Sequence, residues 1–272
     1  MKLELKDGTI IEKEIGITGL ELANSLSKSL AKEAIALKVN GELKDLSLPL
    51  ENDAKVEIIT KNDSEALDIL NHSTAHLLAH AVMELYPDSQ LAFGPSIEEG
   101  FYYDIMFKEP ISENDFPKIE KKMHELANKA IKIERVLLTK DEAKQMFKDQ
   151  KFKLDHLNDI EDPITAYKQD NFADLCRGPH VKHTGLIKHF KLLSLAGAYY
   201  KGDQKNEQLT RIYGTSFFSE EDFDAIQEKV AHVKSVTPVY NVYGSTSTRK
   251  GSFDIMLSCG TAGLKDYSKD PI

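Results

Sequence analysis

The sequence predicts an α+β protein in two parts, a small β-grasp unit followed by a larger α+β domain, and three observations predict it. Residues 1 to 61 set short strand-like runs around one helical run. Beyond residue 62, strands and amphipathic helices alternate without a repeated βαβ period, which excludes a doubly wound sheet. Across the 272 residues, 41% are hydrophobic and 29% charged, with fifteen glycines and nine prolines scattered, a composition that excludes a low-complexity or wholly disordered chain.

In order along the chain, Met1 to Leu5 and Ile10 to Ile15 flank Asp7-Gly8, a hairpin dipeptide. Thr18 is placed to cap a helix whose apolar positions, Leu20, Leu22, Ala23, Leu26 and Leu30, recur at helical spacing. Ala34 to Val39, a turn at Asn40-Gly41 and a strand at Lys55 to Thr60 complete a ββαββ pattern of the ubiquitin-like kind. Ser64 opens a long helix to about Tyr86, stopped by Pro87, and Phe101 to Ile105 reads as a strand. Phe116, Ile119, Met123 and Leu126 mark an amphipathic helix between Glu113 and Ala130, and Thr139 with Glu142 forms a capping box for another ending near Lys148. Leu192 to Phe217 is strand-like around a turn at Lys201-Gly202-Asp203, and Ser219 with Asp222 starts a helix through about Lys234. Residues 235 to 272 carry no sustained periodicity. The expected organisation is therefore 1–61, 62–218, a linker helix 219–234 and an unassigned tail 235–272.

Two segments carry chemistry. His72 and His76 stand four apart on the long helix, so both imidazoles leave one face, and His80 extends the row. Asp174-Leu175-Cys176-Arg177-Gly178-Pro179-His180 repeats the four-residue spacing, with Gly178-Pro179 forcing a turn. Three imidazoles and a thiol suit tetrahedral zinc; equally, they can hold a nucleophilic water with imidazole as base. A Cys nucleophile assisted by His is a third chemistry, although no small-residue elbow accompanies it. Sequence leaves metal and water open.

The net charge of −9 offers a polyanion no global attraction. Between Lys182 and Arg211, however, six Lys or Arg face two acids, a local excess of +4 that would suit phosphates or be a solvated mixed-charge surface. Cys176 and Cys259 cannot build a disulfide framework, the N-terminus has no signal-peptide pattern, and no apolar run is long enough for a bilayer. A cytoplasmic protein without membrane or DNA partners is expected.

These residues, taken in order, resemble the TGS and editing domains of bacterial threonyl-tRNA synthetases. The matching text is Asn71 to His76, then Phe93-Gly94-Pro95 with Gly100 to Asp104, then Asp174 to His180, and finally Ala196 to Tyr200 with Arg211 to Thr215. Alanyl-tRNA synthetase editing domains share the same His and Cys-His frame. The resemblance covers roughly residues 1 to 234. It implies that His72, His76, Cys176 and His180 form a cleft that hydrolyses Ser from mischarged threonine tRNA at its acceptor 3′ end. It further implies that Asp174 holds the substrate amine or hydroxyl and that Lys153 assists the water or ester. Tyr103, Gly94 and Asp104 are its substrate-binding residues, with Tyr103 against the terminal adenosine. Alanyl-type clefts are zinc sites and threonyl-type ones use an ordered water, so zinc at His72, His76, Cys176 and His180 stays an alternative to no cofactor.

The family continues into a class II catalytic core, of which this text holds nothing, so the chain is expected to edit but not to ligate, with a separate synthetase core as a conceivable partner. A non-catalytic RNA-binding or regulatory module and an inactive remnant of the ligase are the competing readings. The family continues K-R-D after the last helix, and codons permitted by Lys234 to Thr237 spell K-R-D two bases on. Residues 235 to 272 are therefore expected to be an out-of-frame extension, with Cys259 irrelevant.

Overall fold

The computed structural model describes residues 1–98 and 100–225. The expected linker helix beyond residue 225, the tail 235–272 and Cys259 lie outside the described residues. Residues 1–218 form one compact unit.

The chain opens with β1 (Lys2–Leu5) and β2 (Ile10–Glu12), an antiparallel pair joined through Asp7-Gly8, where Gly8 takes φ +83°. Thr18 caps α1 (Gly19–Leu26) in a full capping box with Glu21. The apolar spacing predicts one helix here, but the structure breaks it. Ser27 adopts an extended backbone, ends α1, and accepts Ser29 N–H to start α2 (Lys28–Glu33), a local side-chain bond that competes with helix continuation. β3 (Ala34–Val39), the Asn40-Gly41 turn at positive φ, β4 (Glu42–Lys44) and β5 (Ala54–Thr60) follow. The sheet order is β2-β1-β5-β3-β4, with β1 parallel to β5, so the unit is a ubiquitin-like β-grasp fold with one strand more than the sequence pattern shows. Leu3, Leu22, Leu37 and Val56 are buried in its core. Ile35, Ala36 and Ile59 join the larger core beyond it.

That larger core surrounds α3 (Ser64–Leu85), which is buried almost continuously from Ala75 to Val82 and is therefore a central helix, not a surface one. It packs against a five-stranded sheet in the order β12-β13-β8-β6, with β7 also on β8. These strands are β6 (Gln90–Leu91), β7 (Ser96–Ile97), β8 (Gly100–Met106), β12 (His189–Tyr199) and β13 (Gln208–Phe217). α4 (Phe116–Asn128) lies along α3, burying Phe116, Ile119, Met123 and Leu126 at the predicted spacing.

A second, three-stranded antiparallel sheet in the order β11-β10-β9 is built from β9 (Ile133–Leu138), β10 (Ile164–Gln169) and β11 (Phe172–Leu175). Between β9 and β10 come α5 (Lys140–Met146), with the expected Thr139 and Glu142 capping box, and the short α6 (Lys151–His156). Described by itself, the segment after residue 218 begins a helix over residues 220–225, with Ser219 accepting Asp222 N–H at 3.2 Å.

Candidate active site

The site arises where α3 and β11 run side by side with matched periods. Four residues of helix advance about 6 Å, and two residues of strand advance about 6.7 Å. His80, His76 and His72 therefore meet Phe172, Asp174 and Cys176 in turn. His80 stacks on Phe172 with ring centroids 5.0 Å apart. His76 Nδ1 stands 3.4 Å from Asp174 Oδ2, and His72 Nε2 contacts Cys176 Sγ at 2.8 Å. His80 thus continues the row only as a packed residue, its Nε2 on Asn171 Oδ1 at 3.2 Å.

The turn at Gly178-Pro179 brings His180 back onto this ladder. Its Nε2 lies 3.3 Å from Cys176 Sγ, and its ring centroid lies 4.6 Å from that of His72 and 4.4 Å from that of His76. One ligand atom from each of His72, His76, Cys176 and His180 fits within 4.8 Å of the other three. Two segments a hundred residues apart therefore converge.

Hydrogen bonds fix the protonation pattern. Ser73 Oγ donates to the Ile69 carbonyl at 2.7 Å and accepts Val181 N–H at 3.0 Å, so its 3.2 Å contact with His180 Nδ1 is an N–H donated by the imidazole. The His180 lone pair then sits on Nε2, facing the cluster. Ser73 is a site residue that the helical spacing of the histidines does not reveal; its position beside His72 on the same helix is its only signal. Burial pushes the imidazoles of His72, His76 and His180 below their ordinary range, His76 and His180 well below. Burial also pushes the Cys176 thiol up to about 12, against a pull from Gly178 N–H. A nucleophilic thiolate is correspondingly disfavoured.

Behind His76, Asp174 is a buried hub. It pairs with the Lys153 ammonium and accepts Tyr103 O–H at 2.5 Å. Lys153 Nζ also donates to the Ala92 carbonyl at 2.8 Å and to Tyr103 Oη at 3.1 Å. Lys153 lies on α6, remote in sequence from both motifs, and the structure brings it to the site. Its donors are engaged with Asp174, Tyr103 and the Ala92 carbonyl, and Asp174 Oδ2 faces His76.

Two of the expected substrate-binding residues, Tyr103 and Asp104, are engaged within the protein. Tyr103 is fully buried, its ring across Gly94, where an added Cβ would fall 2.1 Å from Tyr103 Cδ2. Its ring packs into the wall that holds Asp174. Asp104, next along β8, points to the opposite side of the sheet and is held by Arg211 at 2.7 and 2.8 Å, with the guanidinium over the Tyr102 ring. The basic stretch is partly paired. Lys191 pairs with Glu120, Lys201 with Asp155 and Asp159, and Arg211 with Asp104, so acids from other elements neutralise half of its cations.

The four-donor group fits zinc in kind and closeness: three nitrogens and one sulfur, with Nε2 of His180 already turned inward by Ser73. A zinc held by His72, His76, Cys176 and His180 would require the thiolate, and only with one of the four withdrawn would it have a position for a water to be acidified. With the thiol protonated, the same atoms are a cage of acceptors and a weak donor for a water. Among the described residues, no helix is long and apolar enough to cross a membrane.

A β-grasp unit joined to an α+β domain with this His and Cys-His cleft defines a TGS domain coupled to a synthetase accessory domain. Residues 1–60 match the TGS domain model, and residues 164–213 match the threonyl and alanyl tRNA synthetase second additional domain. The chain is 45% identical over 238 residues to the threonine–tRNA ligase of Acetivibrio thermocellus, covering 86% of this chain and 38% of that protein. It is 46% identical over 228 residues to that of Rickettsia canadensis, covering 82% and 36%, and 47% identical over 227 residues to that of Staphylococcus carnosus, covering 83% and 35%. The chain carries a TGS domain and a threonyl/alanyl-type second additional domain, and most of its length is similar to part of these threonine–tRNA ligases. It spans a little over a third of the length of these relatives.

Proposed function

We propose that residues 62–218 form a hydrolytic editing domain that removes serine from mischarged threonine tRNA, with residues 1–61 as its attached β-grasp domain. The observation that carries this reading is the convergence of three neutral imidazoles and one thiol within 4.8 Å. A neutral buried imidazole keeps its lone pair at pH 7 and serves as a general base.

In the proposed reaction, a water held among His72, His76, Cys176 and His180 attacks the ester carbonyl carbon. An imidazole takes the water proton and returns it to the ribose oxygen as the carbon–oxygen bond breaks. Serine and free tRNA leave, and no oxidant or metal is consumed. Cys176 holds the water as a thiol, and Lys153 and Asp174 set the field at His76. Serine and threonine differ by one methyl group, worth about 1–3 kcal/mol in a pocket, so a second, smaller site that excludes threonine supplies discrimination that binding alone does not.

The proposal for residues 62–218 is confined to the hydrolytic reaction. The chain's tRNA affinity should be weak and salt-sensitive, since the net charge is −9 and the basic stretch is half neutralised.

Release of labelled serine from Ser-tRNA by the purified chain tests the reading, with His72→Ala and Cys176→Ala alongside. Loss of a general base predicts about 100-fold or greater slowing for His72→Ala. Equal rates for all three proteins would leave only a binding module. Stoichiometric zinc whose removal unfolds the protein would favour a structural metal centre instead.

A further inference from the structure

The loop bearing Cys176 and His180 is gripped from the β-grasp domain at two points. Asp45, just after β4, accepts the His180 backbone N–H through Oδ1 at 3.1 Å and the Tyr167 O–H through Oδ2. Lys182 Nζ donates to the Ala31 and Lys32 carbonyls of α2 at 3.1 and 3.3 Å.

The first contact bears on the cluster directly. Pro179 has no N–H, so His180 is the first residue after Gly178 that a backbone donor can anchor. Tyr167, the other donor to Asp45, lays its ring against the His180 imidazole at a centroid distance of 4.3 Å. It fits there because residue 178 is glycine: a Cβ would fall 1.9 Å from the Tyr167 hydroxyl. His180 is thus fixed at its backbone by Asp45, at its ring face by Tyr167 and at Nδ1 by Ser73. One carboxylate, 7% exposed, holds two of the three restraints. Burying a carboxylate is costly unless donors meet it, and these two donors are the ones that fix His180.

We propose that Asp45 is a positioning residue for the cleft: by tying the His180 backbone and Tyr167 to the β-grasp domain, it aims the imidazole that closes the donor cluster. The N-terminal domain is then part of the active site and not an appendage. The proposal rests on the hydrolytic reading above. A displacement on the order of 1 Å at such a group costs up to about 100-fold in rate.

The test uses the full chain with Asp45→Ala, Asp45→Asn and a control, Leu22→Ala, which weakens the β-grasp core away from the joint. The readouts are Ser-tRNA deacylation and hydrogen exchange at the His180 amide. Asp45→Ala should lower kcat by about 10- to 100-fold with KM within about twofold. Asp45→Asn keeps an acceptor for the amide and should recover part of the rate, while Leu22→Ala, assayed where it is folded, should retain wild-type kcat. Wild-type kcat in Asp45→Ala, or an equal loss in Leu22→Ala, would overturn the proposal. If the wild-type chain does not deacylate, the hydrolytic reading alone fails. Exchange then decides: deprotection confined to His180 and its neighbours in Asp45→Ala supports positioning, and unchanged protection overturns it.

Discussion

Lys153→Met strands a buried carboxylate. The Lys153 and Asp174 side chains are 5% and 2% exposed, and the substitution leaves Asp174 with the Tyr103 hydroxyl and no cation. Removing one partner of a buried pair costs about 3–5 kcal/mol. A second route limits that cost: protonating a carboxyl of ordinary pKa at pH 7 costs about 4 kcal/mol, and only about 1.5 kcal/mol at pH 5. The penalty should therefore approach 4 kcal/mol at pH 7 and shrink by more than half at pH 5. For a unit of this size, each kcal/mol shifts Tm by about 2–4 °C, so a fall of roughly 8–16 °C is expected at neutral pH. Urea unfolding of Lys153→Met, Asp174→Asn and the double variant forms the cycle. The double variant buries no lone charge and should be at least about 2 kcal/mol more stable than the two single losses predict together. Lys153 also helps hold the His76 imidazole low, after burial and His72, so His76 should titrate higher in Lys153→Met. A penalty below about 1 kcal/mol, or one equal at both pH values, would refute the buried-hub account.

Two further outcomes follow from the same geometry. His72, His76 and His180 are held below the ordinary imidazole range chiefly by burial, so their contribution to stability is complete above about pH 6.5 and is lost as pH falls towards their folded-state values. Urea midpoints at pH 7, 6 and 5 should decline, with a slope of up to about 1.4 kcal/mol per pH unit for each histidine; a flat profile would contradict neutral burial. Gly94→Ala drives a methyl into the Tyr103 ring and should cost about 1–3 kcal/mol. Wild-type Tm for that variant would show that the wall holding Asp174 is not tight.

Much of the site was readable because its periods are local. His72 and His76 at four-residue spacing, and Cys176 and His180 across Gly178-Pro179, each point one way. The pairing between them was not read from the sequence; in the structure Phe172, Asp174 and Cys176 at steps of two match the histidines at steps of four. The three-stranded sheet went unread: its β10–β11 turn is Asp170-Asn171, with Asp170 at positive φ, and lacks the glycine that marks such hairpins. Other features had no local trace. Asp45 meets His180 across 135 positions, and nothing near Asp45 marks it. Counting charges along Lys182 to Arg211 leaves out Glu120, Asp155 and Asp104, which arrive from other elements. Ser27 divides a run whose leucines continue unbroken, since a backbone-capping hydroxyl outweighs apolar spacing over so short a helix.

The order β12-β13-β8-β6 makes the last strand among the described residues an interior one. A ribosome therefore delivers β8, with Phe101, Tyr103 and Ile105, long before the neighbour that covers one of its backbone edges exists. Until Gln208 to Phe217 emerges and slides between two waiting strands, the nascent chain exposes a sticky seam, and the span up to residue 217 is the interval in which a chaperone has most to protect.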